Sequence, residues 1–139
     1  MRRALLLIPL LIATSAPAQD EGSTATDGIY SAEQSARGAA VYDAHCVMCH
    51  AVGMTGGAGS PAIVGRGFMI GWARESVGAL LDNLRATMPT GQAGALSDQQ
   101  YADVLATILE ANGFPASPDG VELPTDPAAL EDVTLGAPE

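Results

Sequence analysis

The chain has no lysine, only two cysteines and two histidines, and few aromatics: one tryptophan, three tyrosines and two phenylalanines in 139 residues. Each scarcity excludes something. All six basic residues are arginines, set against sixteen carboxylates for a formal charge of −10. Such a surface repels nucleic acid and anionic lipid, so neither is an expected partner. Two cysteines cannot staple a disulfide-rich scaffold. Few aromatics leave a small core, and domains of this size often need a metal, a disulfide or a cofactor for stability. Long apolar runs are also missing. The longest, Ala4 to Ala13, is interrupted by Pro9 and is too short to cross about 30 Å of hydrocarbon.

That run has another reading. Arg2 and Arg3 precede it, and Ala16-Pro17-Ala18 follows with small residues where a signal peptidase reads, so residues 1–18 are expected to be a secretory signal cleaved after Ala18. The mature chain then belongs in the periplasm as one small soluble domain. Removing the signal leaves four arginines against sixteen acids, a formal −12. Such a charge either favours a docking partner with a positive patch or simply keeps the protein soluble.

Residues 19–30 read as a polar linker. Ser31-Ala32-Glu33-Gln34 has the spacing of a capping box, and a helix over about 32–44 follows. Seven glycines and one proline between Ala51 and Gly71 predict an irregular loop. A second helix is expected over 72–86, with Val77, Leu80, Leu81 and Leu84 on one face. Ser97-Asp98-Gln99-Gln100 repeats the capping signature. It opens a helix whose apolar stripe is Tyr101, Val104, Leu105, Ile108 and Leu109, and which stops at Asn112-Gly113 before Pro115. The 116–139 tail has four prolines and no periodicity, and reads as an extended surface arm or as disorder. Nothing alternates as a strand, so the class is all-α.

The chemistry concentrates in Cys46-Val47-Met48-Cys49-His50. In Cys-x-x-Cys-His, two thiols add across the vinyl groups of one haem and the adjacent imidazole ligates the iron. Three readings compete with covalent haem c. A thiol–disulfide motif expects a βαβ setting, whereas this one follows an alanine-rich helix. A zinc site would have to close with His45, His50 or a carboxylate in awkward positions. A plain structural disulfide is possible in an oxidising compartment.

If haem is bound, a second axial ligand is needed, and His45 is tied too close to His50 to reach the other face. Methionine is the soft neutral choice. Met48 lies inside the attachment loop, and Met54 and Met69 lie in or beside the glycine-rich stretch. Met88, 38 residues after His50, precedes Pro89, which biases it to extended backbone. Met88 is therefore the favoured ligand.

From Tyr30 to Pro115 the sequence resembles a class I cytochrome c. The resemblance rests on Gly38, Tyr42 and Cys46 at four-residue spacing, the Cys-x-x-Cys-His site, Ser60-Pro61-Ala62-Ile63-Val64-Gly65, Met88-Pro89, and the stretch from Leu96-Ser97 to Phe114-Pro115. The last two parts are similar to cytochromes associated with quinoprotein alcohol dehydrogenases. The resemblance implies three to five helices around one haem over residues 31–115, with Gly38 crossing the last helix opposite Val104 and Leu105. Where the family often has an aromatic at that crossing, this chain has Thr107 or Ile108. It also implies that the Pro61 carbonyl accepts the His50 ring N–H, that Trp72 either reaches a haem propionate or only fills the core, and that Arg66 neutralises a propionate or is a solvated charge. Tyr101 reads as core.

The expected function is a periplasmic one-electron carrier, a monomer passing electrons from a dehydrogenase towards an oxidase or another cytochrome. A fixed electron-transfer subunit of a complex and a ligand-binding haem sensor or enzyme are the alternatives. No catalytic triad, carboxylate pair or phosphate loop suggests catalysis.

Overall fold

The computed structural model describes residues 22–57 and 59–137. The expected signal peptide and its cleavage site lie outside the described residues. Five α-helices follow in order: α1 (Ala32–His45), α2 (Val47–His50), α3 (Gly65–Trp72), α4 (Val77–Thr87) and α5 (Asp98–Ala111). Short 3-10 turns occur at Ala25–Asp27 and Pro127–Leu130, and the described residues contain isolated bridges but no strand. The fold is all-α.

The α5 helix forms because Ser97 and Gln100 complete a reciprocal capping box and because its apolar residues have somewhere to go. Tyr101 through Leu109 are all buried, so small residues (Ala102, Ala106, Thr107) fill the side the apolar stripe leaves over. Each large apolar side chain buried there contributes roughly 1.5–3 kcal/mol.

Helix α1 crosses α5 at Gly38. A Cβ there would collide with the Asp103 carbonyl and the Thr107 hydroxyl, so only glycine permits the approach. The contact residues are thus Asp103 and Thr107 rather than Val104 and Leu105. Thr107 replaces aromatic packing with a hydrogen bond, its hydroxyl donating to the Ser35 carbonyl at 2.7 Å. Asp103, only 4% exposed, accepts from Arg37 on α1 at 3.0–3.1 Å and from Gln99 at 2.8 Å.

The structure differs from the sequence reading in three further places. Only half of the first capping box forms. Ser31 accepts from the Gln34 N–H, but the Gln34 amide instead pairs with both backbone groups of Leu123 in the tail, at 2.7 and 3.2 Å. The glycine-rich stretch contains α3, and the next helix starts at Val77, not Trp72. Glycine costs a helix about 0.5–1 kcal/mol per residue, which hid α3 from a propensity reading; Phe68, packed into the core, stabilises it.

Both terminal segments belong to the domain. Ala25 and Tyr30, inside the expected linker, are buried, and the tail places Leu123, Leu130 and Leu135 in the core. The tail is extended for much of its described length, to residue 137, but it is anchored. Thr134 exchanges backbone hydrogen bonds with Ser23 and Ala25 at 2.9–3.0 Å. Next to it, Val133, Leu135 and Gly136 bond to Val77, Glu75 and Ala73 at 2.8–3.1 Å. This strap fixes the turn between α3 and α4, and so decides where α4 begins. Ser76 caps that helix by accepting from the Ala79 N–H.

Candidate haem site

Cys46 ends α1 and opens α2. Its carbonyl accepts from both the Cys49 and the His50 N–H, at 3.1 and 3.0 Å. One tight turn therefore puts residues 46, 49 and 50 on a single helical face, since positions three and four apart are neighbours. Met48, between them, is 90% exposed. The chain then reverses through Ala51 and Met54, both at positive φ near 64° without being glycine, a conformation costing about 1–3 kcal/mol each. The Tyr42 hydroxyl donates to the Ala51 carbonyl at 2.7 Å, and the Gly56 N–H to the His50 carbonyl at 3.0 Å.

Beside this turn lies a largely apolar cavity of about 370 Å³, within the usual range for small-molecule and cofactor sites. Cys46, Cys49 and His50 line it, together with Pro61, Trp72 and Met88. Arg66 is exposed on α3 and does not line the cavity. On α3 the face towards the cavity is Gly67, Phe68, Gly71 and Trp72, and a Cβ on either glycine would meet nothing. These glycines leave room for a group that no protein atom fills.

His50 is 6% exposed, and its Nδ1 lies 2.9 Å from the Pro61 carbonyl oxygen. A carbonyl can only accept, so Nδ1 carries the proton and Nε2 keeps the lone pair that a metal needs. Of the four methionines in the described residues, only Met88 lines the cavity. Met48 is exposed, Met54 is buried beside a second, smaller cavity, and Met69 packs against the core. Met88 caps α4 in extended backbone, φ −122° and ψ 151°. His45 lines the mouth but is exposed.

The rival chemistries fare worse. Among the described residues no group of three metal-ligating His, Cys, Asp or Glu side chains occurs, which leaves zinc without a site. Burial pushes the Cys46 thiol above its usual range, and nearby Cys49 adds to this. A dithiol exchange centre needs a stabilised thiolate instead. The carboxylates also avoid the site, since residues 44–74 contain none and none lines the cavity.

Two features escaped the sequence reading. Asn112, read only as a helix stop, donates to the Ile63 carbonyl at 3.0 Å and accepts from the Gly65 N–H at 2.9 Å, tying the cavity loop to α5. Gly67 and Gly71 were read as loop residues; their four-residue spacing was the available signal.

The family model for cytochrome c oxidase, cbb3-type, subunit III matches residues 33–106, more than half of the chain. The chain belongs to this family. It is a c-type cytochrome domain, and the group it carries is covalently bound haem c with its iron. Its role is haem-based electron transfer with redox protein partners. No curated protein and no solved structure matches the chain. No helix among the described residues of this cytochrome is long and apolar enough to cross a membrane.

Proposed function

We propose that Cys46 and Cys49 bond the haem, that His50 through Nε2 and Met88 through sulfur are its two axial ligands, and that the protein shuttles single electrons in the periplasm. One observation carries this reading: among the described residues a single cavity collects both thiols, an imidazole with its lone pair preserved, and one thioether. Haem held there supplies a one-electron couple. The chain does the rest. Pro61 orients the imidazole. Leu80, Val104 and Ile108 keep water from the interior. Trp72, on the cavity wall, would offer its indole N–H to a propionate of the haem. If His50 and Met88 both ligate the iron, no position would remain for oxygen or peroxide, and the protein would carry electrons rather than catalyse.

The donor is a dehydrogenase and the acceptor a terminal oxidase or another cytochrome, the partners that the resemblance of Met88-Pro89 and the stretch ending at Phe114-Pro115 suggests. The basic start, apolar run and Ala16-Pro17-Ala18 support export. The tail buries its leucines in its own domain, which supports a free carrier over a subunit strapped to a complex. The ligand assignment is tested with Met88→Ala. Its oxidised spectrum loses the weak long-wavelength sulfur band, and its reduced form binds carbon monoxide. An unaltered spectrum overturns the assignment.

A further inference from the structure

We infer that Tyr101 is a positioning residue for Met88, its hydroxyl closing the chain segment that carries the sulfur. This rests on the ligand assignment above. Tyr101 lies on the first turns of α5 and is 2% exposed. Its hydroxyl donates to the Met88 carbonyl at 2.7 Å and accepts from the Gly94 N–H at 2.9 Å. Both partners belong to the segment joining α4 to α5, so one hydroxyl grips that segment at its start and again past its middle.

Apart from Leu96, which packs against the core, the rest of the segment has little else to hold it. Thr90 through Ala95 are exposed. The segment's own backbone bonds are Gln92 to Pro89 and Ala95 to Gln92. Met88 itself is held from two sides, its N–H by the Leu84 carbonyl of α4 at 2.9 Å and its carbonyl by Tyr101. The Thr90 hydroxyl, 3.6 Å from the Met88 sulfur, is itself on the loose part of the segment. Without the Tyr101 hydroxyl, the Met88 carbonyl and the Gly94 N–H lose their protein partner, and the segment lifts more readily. The sulfur then spends more time away from the cavity, and an external ligand binds more tightly because the competing state is depleted.

The test compares Tyr101→Phe with Tyr30→Phe in the matured holoprotein. Tyr30 is equally buried, at 1% exposure, and its hydroxyl also donates to a backbone carbonyl, that of Phe114 at 2.6 Å, beyond the other end of α5. Imidazole is titrated into the oxidised protein while the sulfur band is followed, and global unfolding is measured alongside. Tyr101→Phe should raise the apparent imidazole affinity about five- to tenfold, the factor for losing one to two hydrogen bonds. Tyr30→Phe should unfold more easily yet leave that affinity within about twofold. A Tyr101→Phe protein that merely unfolds earlier, with unchanged imidazole affinity, overturns the inference. Hydrogen exchange in the parent gives a second check, requiring no variant. The Gly94 amide should exchange at least about tenfold more slowly than the Gly91 amide in the same segment, and equal rates overturn the inference. A parent protein with no sulfur band defeats the ligand assignment first, which separates the two failures.

Discussion

Gly38 and Gly71 are both helical glycines, yet a methyl group on the first would strike the Asp103 carbonyl and one on the second would meet no protein atom. The two positions represent two regions. Where α1, α5 and the terminal strap meet, protein fills the space: Asp103 is fully engaged, Gln34 imitates a backbone partner for Leu123, and Leu135 is wholly buried. Around α2, α3 and the loop between them the chain is glycine-rich, free of carboxylates and arranged about a cavity. The first region is filled by contacts within the chain; the second surrounds a space that no protein atom fills. Asn112 joins the two, with its amide on the Ile63 and Gly65 backbone.

The largest effect expected on the filled side comes from the strap. Leu135 has no exposure, and Leu135→Ala should destabilise the holoprotein by about 2–5 kcal/mol in denaturant unfolding, from lost transfer energy plus a cavity. A loss below about 1 kcal/mol would return the tail to the surface arm that its sequence suggests. The glycine pair sharpens the contrast further. Gly38→Ala should cost about 1–3 kcal/mol by overpacking the helix crossing. Gly71→Ala should cost less than Gly38→Ala, since the methyl meets no protein atom and alanine favours the helix, and it should shift the haem signals instead. Equal effects at the two sites would erase the distinction between the regions.

The filled side was legible in the sequence where its causes are local. The helical period of Tyr101, Val104, Leu105, Ile108 and Leu109, and the Ser97–Gln100 cap, mark α5 without tertiary information. The residues proposed to hold the haem stood out in the sequence because a five-residue motif and a methionine before proline carry their chemistry in their spacing. What was not legible depends on distant partners. Helix α3 forms despite its glycines because Phe68 finds a core; α4 starts at Val77 because the tail binds Ala73 and Glu75; and the Gln34 amide turns to Leu123, 89 residues away. For Arg66 the resemblance left a propionate partner and a solvated charge both open, and the residue is exposed and off the cavity wall.

The most direct measurement is the intact mass and the reduced optical spectrum of the protein purified from a host that matures c-type centres, alongside a Cys46→Ala/Cys49→Ala variant. The expected product is a coloured protein heavier than its polypeptide by one haem, with the mass gain lost in the double variant. A colourless protein at the bare polypeptide mass would contradict it.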